Sequence, residues 1–305
     1  MIQDILFAHD FSPSSKRALP YAADLARRTG ATLHLMYVKE VPLGPLVKGE
    51  PSPIAGENEL RKTLRNQLKD RCQDLLEAHL PSGDEDRLHY HAERSGAVAP
   101  ALVRYAKQED IDLVVMGTQG QRGLQEAFVG SVAREVLRTA PCPVFTTRVL
   151  EDAATAEESS VNRIVVPIDF SDPSREALRY AGQMASIYET PIKLVHVVES
   201  PKLPSVYGIE SPKISERKVE AQTERALAEW ADELPGRHGP TSYIVQRGDP
   251  ASLILNAASS VDDLIVMATH GRSGLRRAML GSVAEEVVAQ ARGPVLTGRT
   301  FPAGS

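Results

Sequence analysis

Two sets of residues in this chain have the types and spacing to hold a phosphorylated ligand. The first is Asp10, then Gly117 and Gly120, nine intervening residues, and Gly130-Ser131. The second is Asp169, then Ala268 and Gly271, nine residues, and Gly281-Ser282. Glycines let a loop backbone take unusual dihedrals and come close to a ligand. A Gly-Ser at a helix start adds the open N–H groups and positive dipole of the first turn, with the serine hydroxyl as a further donor. An Asp does not face phosphate without a metal between them, so Asp10 and Asp169 suit ribose hydroxyls or an adenine amino group. Alone, Gly130-Ser131 reads equally well as a helix cap. The full set of Asp, glycines, fixed spacer and Gly-Ser favours a ligand.

Those residues must be positioned by elements, and the elements occur twice. Short apolar runs at 5–8 and 164–167 read as buried strands that end just before each Asp. Helical spacing follows in Ala18, Leu19, Ala22, Leu25 and Ala26, with Gly30 as its C-terminal residue, and in Ala177, Leu178, Ala181, Met184 and Ala185. Second strands are expected at 32–37 and 192–197, long helices at 58–79 and 214–234, third strands at 88–92 and 242–246. Fourth strands at 113–116 and 264–267 lead into the glycine segments, helices begin near Gly130 and Gly281, and fifth strands follow at 144–146 and 295–297. Alternating strands and helices imply right-handed βαβ crossovers. The expected fold is therefore two Rossmann-like, doubly wound α/β domains, each a five-stranded parallel sheet with helices on both faces. In such sheets ligands sit outside the carboxyl ends of the strands, which places both Asp residues and both glycine segments on one rim of their sheet. Domains are expected at 1–150 and 162–305, joined by a polar linker at 151–161 rich in Ala, Glu, Thr and Ser.

The 305 residues suffice for two cores, and 42% hydrophobic with 25% charged residues is the balance of a soluble globular protein. A formal net charge of −5 argues against duplex nucleic acid as a partner. No apolar run approaches the ~20 residues of a membrane span, and no signal peptide is evident at the start, so a cytoplasmic location is expected. Cys72 and Cys142 stand in different segments and read as free thiols.

The chain resembles tandem members of the universal stress protein (UspA) family. Its signature, Gly-x2-Gly-x9-Gly followed by Ser, Thr or Asn, is met in full by Gly117, Gly120, Gly130 and Ser131. Supporting marks are Asp-Leu-Val-Val-Met-Gly-Thr at 112–118, Gly-Ser-Val-Ala at 130–133 and 281–284, and Asp-Leu-Ile-Val-Met-Ala-Thr-His-Gly at 263–271. The resemblance implies that Asp10 and Asp169 touch ribose or adenine and that Val38 and Val197 line the adenine slot. It implies that the glycines and Gly-Ser bind ribose and phosphates, with Met116 and Val132, or Met267 and Val283, beside them. The implied ligand is ATP, or ADP or AMP, with or without Mg²⁺. Single-domain relatives pair through their last strands, which implies an intramolecular pseudo-dimer here and leaves room for association of two chains. The second copy breaks the signature at Ala268, where a methyl against ribose either clashes or is absorbed by a small shift. The first copy departs too, with Ala8-His9 where the family has Pro two residues before the Asp.

Three functions follow: a nucleotide-holding stress-response regulator with slow or no turnover and an unidentified protein partner; a slow Mg²⁺-dependent ATP hydrolase using Asp10 or Asp169; and a nucleotide-free interaction scaffold. No Ser-His-Asp or Cys-His spacing supports a triad, and the first is preferred. Other residues are weighed against plainer roles. His89 and His91 share a strand face but lack a third metal ligand. Arg122, Arg272, Arg276 and Arg277 neutralise phosphate or form an exposed basic loop, and His270 touches phosphate or is a loop residue of no special role. Ser12 and Ser171 are expected to cap the first helices. Loops 41–56 and 200–212 either cover the sites or merely connect.

Overall fold

The computed structural model describes residues 2–41, 57–80, 85–120, 128–149, 159–198, 216–236, 238–269 and 280–298. The loops after the second strands, most of 151–161, Arg122, His270, Gly271, Arg272, Arg276 and Arg277 lie outside the described residues. The chain divides into two units, Met1–Ser160 and Val161–Ser305.

In the first unit the order is β1 (Asp4–Ala8), α1 (Pro13–Thr29), β2 (Thr32–Glu40), α2 (Glu57–His79), β3 (Leu88–Ser95), α3 (Val98–Gln108), β4 (Leu113–Gly117), α4 (Ser131–Thr139) and β5 (Val144–Thr147). The strands lie in the order β3-β2-β1-β4-β5, with every described pair parallel. Ile5, Leu6 and Phe7 are fully buried, as expected of a strand covered on both faces. α1 packs with α2 and α3 with α4. Right-handed crossovers put the two pairs on opposite faces, because the direction of winding reverses after β3.

The second unit repeats this: β6 (Arg163–Pro167), α5 (Asp172–Tyr188), β7 (Ile192–Val198), α6 (Glu216–Asp232), β8 (Thr241–Arg247), α7 (Pro250–Ala257), β9 (Asp263–Ala268), α8 (Ser282–Gln290) and β10 (Val295–Gly298). Its strands lie in the order β8-β7-β6-β9-β10, again parallel. The reversal falls between β1 and β4, and between β6 and β9. That is where Asp10 and Gly117, and Asp169 and Ala268, line the crevice such sheets offer a ligand.

Both Asp turns are held by the same device. Ser12 and Ser171 cap α1 and α5, their side chains accepting from the N–H groups of Ser15 and Ser174. β2 runs to Glu40, three residues beyond the apolar stretch, because pairing with β3 continues through Glu40 and Ser95. Val38 therefore lies within the strand near its carboxyl end. Among the described residues no helix is long and apolar enough to cross a membrane.

Candidate functional site

Asp10 stands two residues beyond β1 and turns the chain into α1. Its Oδ1 accepts from the Ser12 N–H at 3.0 Å. The turn requires a positive φ at Phe11, 63°, a conformation that costs a bulky L-residue about 1–2 kcal/mol. Packing holds it there: the Phe11 ring lies 4.7 Å from His9 and 4.7 Å from Tyr37, with the Arg71 guanidinium 4.8 Å above it. Phe170 repeats the conformation at 60°, set against His196 and Trp230.

The glycine segment leaves β4 and returns to start α4. Thr118 N–H donates to Thr147 O at 2.8 Å, and Gly130 N–H donates to Thr118 O at 2.8 Å, so the two ends of the segment are tied together. A Cβ on Gly120 would lie 3.1 Å from Asp10 Oδ2, and one on Gly130 would lie 3.1 Å from Thr118 O and 3.8 Å from Gly120 N. Side chains there would fill the space between Asp10 and the helix start. Gly130 is the N-cap of α4 and offers no side-chain acceptor, so the cap residue itself leaves the first-turn N–H groups open.

All eight candidates of the first copy line one cleft of ≈ 810 Å³: Asp10, Val38, Met116, Gly117, Gly120, Gly130, Ser131 and Val132. Sequence reasoning missed its α3 wall, Val98 and Leu102, and the 62% exposed Phe128 at its edge. The i,i+4 apolar pair at the start of α3 was the available signal for the wall. His9 also lines this cleft; in the sequence it stands out only as a departure from the family pattern. It is 4% exposed, and burial pulls its pKa down to about 4, with Lys16 and Arg71 assisting and Asp10 opposing. Its Nδ1 is buried without a hydrogen-bond partner among the described residues.

In the second copy Asp169, Val197, Met267, Ala268, Gly281, Ser282 and Val283 line a cleft of ≈ 880 Å³, while Gly271 lies outside the described residues. Asp249, the N-cap of α7, adds a carboxylate there that sequence reasoning missed. The ends of the segment are tied as in the first copy, Thr269 N–H to Gly298 O at 3.1 Å and Gly281 N–H to Thr269 O at 2.8 Å. The chain's two halves, residues 1–148 and 160–299, each match the model of the universal stress protein family.

The chain belongs to the universal stress protein family.

Universal stress protein Rv2005c of Mycobacterium tuberculosis is 29% identical over 200 residues, covering 66% of this chain and 65% of that protein, so the match spans just under two thirds of that relative. Universal stress protein Rv2623 of the same organism is 26% identical over 304 residues, covering 97% of this chain and 96% of that one. A universal stress protein structure from Archaeoglobus fulgidus, 17% identical, superposes with a TM-score of 0.58 over 97% of this chain and 98% of that chain, a likeness of fold alone.

Within this universal stress protein, one expectation needs correction. A methyl at the first signature position was expected to meet ribose. A Cβ on Gly117 would instead meet α1, at 2.5 Å from Ser14 Oγ, 2.6 Å from Ser14 C and 2.7 Å from Ser15 N. The glycine is there because the backbone of a neighbouring helix occupies the space. Ala268 is therefore a change at a helix contact. The Asp environments differ as well: Asp169 Oδ1 accepts from Ser171 N–H at 3.0 Å and from the Ser171 and Ser174 hydroxyls at 2.5 Å each. The equivalent hydroxyls of the first unit take other acceptors: Ser12 Oγ donates to Gln119 O at 3.2 Å, and Ser15 Oγ to Ser12 O at 3.0 Å.

The remaining candidates take structural places. His89 and His91 lie on one face, His89 5.0 Å from the His34 ring and His91 4.7 Å from Tyr105. Cys72 and Cys142 are buried free thiols whose pKa values burial pushes up to about 12.

Proposed function

We propose that this universal stress protein is a cytoplasmic regulatory protein that holds ATP, ADP or AMP in its first cleft and in its second, turning it over slowly or not at all. The observation that carries this reading is convergence. Residues far apart in sequence, from the ends of β1, β2 and β4 and the start of α4, line one cleft of ≈ 810 Å³. That is the size of a small-molecule site, about 300–1,000 Å³. Phosphates fit beside Gly120, Gly130 and Ser131, where N–H groups and the α4 dipole favour anions. Asp10 suits ribose or the adenine amino group, and Val38, Met116, Val98 and Leu102 provide apolar walls for a base.

Among the described residues no cluster of three or more His, Cys, Asp or Glu side chains is arranged for a metal. Mg²⁺ would come with the nucleotide, taking phosphate and water oxygens and neutralising phosphate charge, with Asp10 the carboxylate beside Gly120. His9, buried beside this cleft with its pKa drawn down to about 4, is a weak base there, in keeping with slow turnover. In this reading nucleotide occupancy sets the choice of a protein partner under stress. Pairing of the two copies through their last strands, and of two chains with one another, belongs to the same proposal. Cross-linking of cysteines placed in those strands, and sedimentation, test it.

The direct test is to denature the purified protein and identify released nucleotide by mass and stoichiometry, then titrate ATP into stripped protein. Ser131→Asp, which sets a carboxylate at the start of α4, is expected to abolish binding in the first cleft. Finding no nucleotide, with none binding on addition, leaves the scaffold reading. Brisk hydrolysis abolished by Ser131→Asp establishes the enzyme.

A further inference from the structure

Three positions change together between the two units. Gly117, Ser14 and Thr147 of the first correspond to Ala268, Pro173 and Gly298 of the second. Gly117 and Thr147 are register partners on β4 and β5, as are Ala268 and Gly298 on β9 and β10.

In the first unit the three residues form one contact. The missing side chain of Gly117 lets Ser14, 1% exposed, settle against the end of β4. Ser14 Oγ then donates to Thr147 O at 3.1 Å and accepts from Gln119 N–H at 3.4 Å, while Thr147 Oγ1 donates back to Ser14 O at 3.4 Å. Gln119 lies inside the glycine segment, and its carbonyl accepts from Ser12 Oγ. The N-cap and first turn of α1 therefore grip residue 119 by both its C=O and its N–H. The carbonyl of Gln119 and the N–H of Gly120 belong to one trans peptide and point in opposite directions. Holding the carbonyl on α1 turns the Gly120 N–H away from α1, toward the side where Gly130 begins the next helix.

In the second unit Pro173 has no hydroxyl to offer, and the Ser171 and Ser174 hydroxyls are committed to Asp169. The space is refilled differently: a Cβ on Gly298 would lie 2.5 Å from the Tyr180 ring.

We propose that Ser14, assisted by Ser12, is a positioning residue that orients the Gly120 N–H toward phosphate in the first cleft, and that Gly117 is glycine in order to seat Ser14. This rests on the nucleotide reading of that cleft. The signature's first glycine then serves the helix, and Ala268 does not by itself disable the second cleft. Where the first unit has Ser14, the second has Pro173, which carries no hydroxyl for such a clamp.

The test uses the full chain carrying Ser282→Asp, so that only the first cleft binds, with ATP and adenosine compared by equilibrium dialysis. Ser14→Ala is expected to weaken ATP about ten-fold, the scale of one or two hydrogen bonds, and to leave adenosine within about two-fold. Ser14→Cys, similar in size but a weaker hydrogen bonder, gives the same ATP-selective loss should Ser14→Ala fail to fold. Equal loss for both ligands means general damage and overturns the proposal, as does no loss for either. If the Ser282→Asp chain with its native Ser14 binds neither ligand, the nucleotide reading itself fails, an outcome separate from a failure of the clamp alone.

Discussion

A neutral histidine buried beside a carboxylate leaves a mark on stability that its counterpart does not. The residue before Asp10 is His9, and the residue before Asp169 is Ile168. His9 has a pKa of about 4 in the folded chain against an ordinary 6.5. Between those values the unfolded chain binds a proton that the folded chain refuses, so stability is complete above pH 6.5 and falls as pH drops. Linkage puts the loss at about 2 kcal/mol by about pH 5, levelling off below about pH 4. His9→Ile, copying the second unit, is expected to remove this slope, read by urea denaturation at about pH 7.5 and about pH 5. An unchanged slope means that another group controls the acid limb. At Gly117 the expected change is steric: Gly117→Ala forces a methyl into the α1 backbone and should destabilise the first unit by about 2–3 kcal/mol, the upper range for overpacking. Ala268→Gly, which only empties space, should cost about 1 kcal/mol. Urea midpoints separate the two. The candidate residues were legible because chemistry requires them in a fixed spacing. The reason for Gly117 was not, since its collision partner, Ser14, lies more than a hundred residues away in the chain and meets it only after α1 docks on β4.

Elements carry a second asymmetry. α1 ends at Gly30, whose φ of 74° is left-handed and costs glycine little, with its N–H bonded to Ala26 O. α5 ends in the same way at Glu189, φ 52°, with its N–H on Ala185 O. A side chain at a left-handed position is strained by about 1 kcal/mol or more, partly offset by the greater entropy of glycine in the unfolded chain. Glu189→Gly is therefore expected to stabilise the second unit by about 0.5–1 kcal/mol in chemical denaturation, with nucleotide binding unaffected. A loss of stability would show that the Glu189 side chain does more than end a helix. Element types and order followed from apolar periodicity, and the helix boundaries lie within a few residues of expectation. The end of β2 was missed because Val38-Lys39-Glu40 carries no apolar alternation. Those residues are strand because β3 supplies partners for their backbone, a non-local cause that local pattern does not register.

For the whole molecule, duplication has left one built-in reporter. The chain has a single tryptophan, Trp230, in α6 of the second unit. It is 8% exposed, with Phe170 5.4 Å away and the Arg175 guanidinium 4.7 Å above its ring. Phe170 follows Asp169 and lines the second cleft, so Trp230 senses both the folding of that unit and the turn that would hold the ligand. Circular dichroism reports both units, since each contributes strands and helices. A ligand that binds only folded protein stabilises it by about 2.7 kcal/mol at one hundred times its Kd. If both clefts hold nucleotide, ATP should raise the urea midpoint by tryptophan fluorescence and by circular dichroism. Ser282→Asp should abolish the fluorescence shift while leaving part of the dichroism shift, and Ser131→Asp should do the opposite. Should ATP shift the dichroism but never the fluorescence, only the first cleft works, and the serine clamp that distinguishes it becomes the first place to look for the cause. A fluorescence shift lost with Ser131→Asp and kept with Ser282→Asp would contradict the assignment of each cleft to its own unit.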